Sequence, residues 1–182
     1  MKNLILAAML FFASLSFMQA QEVDFGLSAG YTSITGRSSS STSSMVTSAS
    51  SSGFNVGALA DFSISENFHL QPEVNFAIAD DVNFLIIPVL AQYYIGDSQF
   101  YLQAGPQATF LLEDTMGMLD NFGLDLAFGA GYHINENFFL HAKYSFEITN
   151  RLSNDFIDML ESEGQDADSG FDAFTVGVGY KF

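Results

Sequence analysis

Apolar and polar residues alternate one by one through most of this chain, the period of a β-strand whose two faces meet different surroundings. The last eight residues show it most strictly. Val176, Val178, Tyr180 and Phe182 share one side, and Thr175, Gly177, Gly179 and Lys181 share the other. Residues 138–149 repeat the pattern, setting Phe138, Leu140, Ala142, Tyr144, Phe146 and Ile148 against Phe139, His141, Lys143, Ser145 and Glu147. In 122–134, Leu124, Leu126, Phe128, Ala130 and Tyr132 oppose Asp125, Gly129, Gly131 and His133. In 68–78, Leu70, Val74 and Phe76 oppose His69, Gln71, Glu73 and Asn75. With the further stretches 23–32, 53–64, 83–95, 100–112 and 171–182, the pattern predicts eight strands.

The connections alternate in length. Tight three-residue turns are expected at 65–67, 96–98 and 135–137, while 36–52 and 150–170 read as long loops, the first a mobile Ser/Thr tract. One rim of short turns and one of long loops is the asymmetry of transmembrane barrels, and strands of this length suffice for a tilted crossing. A hairpin is echoed within the chain: Ile64-Ser65-Glu66-Asn67-Phe68-His69-Leu70 returns as Ile134-Asn135-Glu136-Asn137-Phe138-Phe139-Leu140. Two features resist the pattern. Pro72, Pro88 and Pro106 fall inside predicted strands, and the fourth strand is apolar on both faces, with Asn83 and Gln92 in opposite registers. A bulge near Pro88 is expected to reconcile both.

Periodicity does not say which face is inside. The amino terminus narrows the choice: Lys2, an apolar run over 4–17 broken only by Ser14 and Ser16, then Ala20, follow the order of a secretory signal peptide. Residues 1–20 are expected to be removed, leaving an exported domain of 21–182. The chain has no cysteine, which excludes disulfides, thiol catalysis and cysteine metal sites. Beyond Lys2, only Arg37, Lys143, Arg151 and Lys181 oppose 21 acidic residues, a formal charge of −17. Such a field repels nucleic acid. Yet the chain carries 20 Phe and 7 Tyr, so acid and aromatic surface must be segregated. An all-β, eight-stranded antiparallel up-and-down barrel, with lipid outside and acidic loops at one rim, achieves that.

The run from Thr175 to Phe182, closing on two aromatics in three residues, resembles the signal by which such barrels are handed to their insertion machinery. Ile86-Ile87-Pro88-Val89-Leu90-Ala91-Gln92-Tyr93-Tyr94-Ile95 with Phe100-Tyr101-Leu102-Gln103-Ala104-Gly105-Pro106 is similar to the central hairpin of the PorT-like outer-membrane β-barrel domain family. Phe128-Gly129-Ala130-Gly131-Tyr132 and the closing strand are similar to its later strands. The resemblance implies an eight-stranded outer-membrane barrel, makes Pro88 and Pro106 expected, and supplies no shared active site. Where the family commonly has a basic residue near Gln92, this chain has none, which removes one interior charge partner.

The inward set read from the alternation is Glu73, Asp125, His141, Lys143, Glu147 and Lys181, with Asp61 on the second strand. An ion-paired, side-chain-filled lumen is the leading expectation, a narrow porin-like channel the alternative, and a soluble lipocalin-like binder the third. His69, His133 and His141 are the candidates for acyl-transfer chemistry, but no serine stands at a distinctive spacing from them, and no catalytic residue is expected. Residues 153–163 read as a short helix with Phe156, Ile157 and Leu160 on one side. Asp166, Asp168 and Asp172 are only faintly like a calcium loop and read as a solvated acidic stretch, with no metal or cofactor expected. The partners expected are outer-membrane lipid, lipopolysaccharide and the insertion machinery, for a monomer.

Overall fold

A computed structural model describes residues 23–40, 43–80, 82–96, 98–113, 119–152 and 167–182. The expected signal peptide and the 153–163 helix lie outside the described residues, as does Asp166, and the side chain of Asp168 is not described. Eight antiparallel strands close into a barrel in chain order: β1 (Val23–Ser40), β2 (Ser43–Ser65), β3 (Phe68–Ala79), β4 (Val82–Tyr94), β5 (Phe100–Leu111), β6 (Phe122–His133), β7 (Phe138–Glu147) and β8 (Ala167–Lys181). β8 pairs back onto β1, so the sheet has no free edge around its girth.

The alternation resolves as polar inside and apolar outside. Asp61, Glu73, Asp125, His141, Glu147 and Lys181 are buried in the lumen, while Phe54, Val56, Phe76, Phe128, Leu140 and Val178 are exposed on the wall. A water-soluble barrel has the reverse arrangement. Aromatic side chains gather on the wall beside the short turns, where Phe100 meets Tyr132 at 4.5 Å and Phe138 meets Tyr180 at 4.9 Å between ring centroids. Such a girdle sits at a membrane interface.

The short turns tie neighbouring hairpins together, which explains the echoed sequence. Asn67 accepts from the Tyr94 amide at 2.8 Å and donates through Nδ2 to the Gly96 carbonyl at 3.1 Å. Its counterpart Asn137 accepts from the Lys181 amide at 2.8 Å and donates to the Lys181 carbonyl at 2.9 Å. Each asparagine thus staples its turn to the end of another strand. Gly96 has a φ of +57°, the left-handed conformation that glycine adopts without a Cβ penalty.

Three expectations need correction. The Ser/Thr tract is not a loop: β1 and β2 remain paired from Ser33↔Ser52 out to Ser40↔Ser43, and β1 stays paired with β8 over the same length. Backbone ladders on both sides of β1 carry most of this ribbon, so it can form without a regular apolar period. The last long connection is also shorter than expected, because β8 begins at Ala167, placing Ala167 to Asp172 in an extended strand. Finally, no bulge occurs at Pro88. The β3–β4 register is the same at Asn75↔Ile86 and Pro72↔Val89, and the β4–β5 register the same at Pro88↔Gln107 and Ala91↔Ala104. Proline forfeits one ladder bond without requiring an extra residue. Register shifts lie instead in β2, between Ser63 and Ser65, and in β1, between Ser39 and Ser40.

Candidate functional site

The lumen concentrates the chemistry. Among the described residues, Lys143, Arg151 and Lys181 are inside the barrel; Arg37 is on its outer wall, where Nε meets Asp172 Oδ2 at 2.9 Å and Tyr144 Oη donates to the same oxygen at 3.0 Å. Three ionic groups occupy successive levels of the interior. At the short-turn end, β2, β3 and β8 bring Lys181 Nζ onto Asp61 Oδ2, while His69 Nδ1 lies 2.9 Å from Asp61 Oδ1. Lys181 also lies over the Phe139 ring, 5.7 Å from its centroid.

At mid-height, β3 and β7 face each other across the bore. Lys143 Nζ donates to Glu73 Oε2, Asn75 Nδ2 donates to the same oxygen at 2.9 Å, and Gln71 Nε2 donates to Oε1 at 2.8 Å. Three donors on one carboxylate make the charge tolerable in a site shut off from water. Around this level Gln92 Nε2 donates to Gln103 Oε1 at 3.1 Å.

Towards the long-loop end, Arg151 is fully buried. Its Nε donates to Glu147 Oε1 at 2.6 Å, and its other nitrogens donate to the carbonyls of Thr109 and Asn121 at 3.2 and 3.1 Å. Glu147 Oε2 accepts the Phe171 amide at 2.8 Å, and the guanidinium lies 5.2 Å from the Phe171 centroid. Asp125 joins no cation directly; Gln107 Nε2 at 2.9 Å and the Thr109 hydroxyl donate to it. The other side of this level is apolar, a cluster of Ile34, Ala77, Ala79, Phe84, Ile86 and Leu111.

All seven residues expected to face inward do so, Lys143 with them. Arg151 was not among them. It lies beyond the last alternating residue of β7, in a stretch that reads as an acidic loop, and only Glu147 four residues earlier hinted at a partner. The inward face of β4 was also hidden, since Phe84, Ile86, Pro88 and Leu90 inside are as apolar as their outward neighbours.

The histidines do not form a hydrolytic relay. A triad imidazole meets its acid and its nucleophile through opposite ring nitrogens. In His69 both Asp61 and the Ser63 hydroxyl, 3.5 Å away, approach Nδ1. His133 Nε2 is engaged by the Tyr94 hydroxyl at 2.9 Å, and His141 is buried beside Gly177, with its Nε2 2.6 Å from where a Cβ at that glycine would lie. Small residues likewise make room for rings elsewhere: a Cβ at Gly131 would fall 2.1 Å from the Tyr101 ring.

Between these layers lies a cavity of about 20 Å³, bordered by Asn55, Asn75, Gln107, Lys143 and Ser145. That is room for about one water molecule.

The family model for the outer membrane protein β-barrel domain matches residues 4–182. The chain belongs to this family. It is accordingly an integral outer-membrane barrel, its apolar wall in lipid and three ionic groups in its lumen. Among solved structures, neisserial surface protein A aligns at 17% identity over 88% of this chain and 99% of that one, with a TM-score of 0.51. OprG of Pseudomonas aeruginosa aligns at 13% identity over 91% and 98%, with a TM-score of 0.47. The attachment invasion locus protein Ail of Yersinia pestis aligns at 15% identity over 88% and 99%, with a TM-score of 0.46. No curated protein sequence matches.

Proposed function

We propose that the mature protein, residues 21–182 after removal of signal peptide 1–20, is a monomeric, non-enzymatic barrel with a structural or surface-interaction role. The filled lumen carries this reading: three ionic layers and an apolar cluster occupy it, and the cavity between them has room for about one water. The wall contacts lipid and lipopolysaccharide, and the strand from Thr175 to Phe182 is the handle for the insertion machinery. Within the family, the hairpin spanning Ile86 and Pro106 and the closing Gly177-Val178-Gly179-Tyr180-Lys181-Phe182 favour the PorT-like group. The acidic residues around Asp166 and Asp168 are read as solvated charge.

A narrow channel is the second reading, and planar-bilayer recording separates the two. The purified barrel is expected to give no discrete conductance steps at moderate voltage. Stable, reproducible unitary steps would replace the plug with a pore.

A further inference from the structure

The outer mouth of the barrel contains a concavity that the sealed lumen does not use. Above the apolar cluster lies a cup of about 310 Å³ with Phe84, Leu111 and Phe171 among its walls. That volume reaches the lower end of small-molecule sites, which are apolar clefts with a few placed polar groups. The paired ribbon of β1 and β2 forms one side, and it keeps the cup open because it contributes small residues. Gly36, Ala49 and Ser51 line that side, and a Cβ at Gly36 would already lie 3.3 Å from the Phe171 ring.

The charged group at the cup is Glu113. Its Oε1 accepts from Asn83 Nδ2 at 2.8 Å, which fixes the carboxylate at the rim. The nearby cations are already committed. Arg151 is buried beneath Phe171 and bound to Glu147, and Arg37 is on the outer wall bound to Asp172. Against a chain of formal charge −16, an anionic head finds repulsion at this mouth and a cationic one finds a partner.

We propose that this cup is a dead-end binding site for small cationic amphiphiles, the alkyl body seated on Ile34, Phe84, Leu111 and Phe171 and the ammonium head at Glu113. Passage onward is blocked by the Arg151–Glu147 layer below, so the site captures without transporting. The inference rests on the reading of a filled lumen for that second property only.

The test uses the full mature barrel in zwitterionic lipid nanodiscs, with Ile, Leu and Val methyl groups labelled for NMR. Octylammonium and octanoate are titrated as a matched pair. Octylammonium is expected to shift the methyls of Ile34, Val82 and Leu111 saturably, while Val176 and Leu140 on the lipid-facing wall stay still. Octanoate should bind about fivefold more weakly, the worth of one partly exposed charge pair. Glu113→Gln should level the two ligands. Ala49→Phe, at an exposed ribbon position, should abolish the response while the barrel keeps its folded gel mobility. Shifts that grow without saturation at cup and wall alike would mean partition into the bilayer and would overturn the proposal, as would full binding to the Ala49→Phe protein. Equal or tighter octanoate binding would overturn the ligand class. Unitary conductance alongside an intact cup response would defeat only the plug, and a silent cup in a non-conducting barrel only the binding site.

Discussion

Glu73→Ala is expected to destabilise the barrel by about 3–5 kcal/mol, the usual cost of removing one member of a buried pair. The carboxylate is buried at mid-height and accepts from Lys143, Asn75 and Gln71 together. Its loss leaves an ammonium without a counter-charge and two amides without an acceptor, beside a cavity with room for about one water. The paired change Glu73→Ala with Lys143→Ala removes both charges and should cost clearly less than the two single changes summed. Urea titration in lipid vesicles, scored by the folded band on an unboiled gel, measures all three proteins. Additive losses, or a single-variant cost within about 0.5 kcal/mol of zero, would mean that the two residues are hydrated independently and that the interior is wet.

Val176→Arg is expected to cost about 2–4 kcal/mol, the penalty for a cation at the bilayer midplane. Val176 stands halfway along the outward row of β8, between Ala142 of β7 and Tyr31 of β1, and is 45% exposed on the wall. On a water-soluble protein, arginine at so exposed a site would be nearly neutral. The same vesicle titration therefore distinguishes lipid from water at this face. It also avoids the insertion machinery, so a folding defect in cells is not confused with a loss of stability.

These two positions were legible in the sequence for one reason: they lie on strands whose faces meet opposite solvents. Strict alternation in β3, β6, β7 and β8 put Glu73, Asp125, His141, Lys143, Glu147 and Lys181 on one face and Val176 on the other, and the export signal and aromatic residues set the polar face inside. The pattern failed where that contrast disappears. β4 has lipid on one face and the apolar cluster around Phe84 and Ile86 on the other, so both faces call for the same residues. In the ribbon of β1 and β2, among the described residues only Ile34 joins the apolar cluster, and the hydroxyl side chains around it carry no record of the register that pairs Thr35 with Ser50. Arg151 follows a third logic. It reaches the lumen from beyond the end of β7, and its place is set by carbonyls of Thr109 and Asn121 about 30 to 42 residues away in sequence. No local period encodes such a contact. The outer cup was illegible for the same reason, since its walls come from β1, β2, β4, β5 and β8.

The central claim is that this chain is a closed barrel embedded in the outer membrane. Heat-modifiability tests it most directly: isolated outer membranes are washed with carbonate, and boiled and unboiled samples are compared on a denaturing gel with an antibody to the chain. The barrel is expected to remain with the membranes and to migrate differently before boiling, because its closed hydrogen-bond network resists detergent until heated. Release into the soluble periplasmic fraction, with identical migration before and after boiling, would contradict the account and turn the barrel inside out.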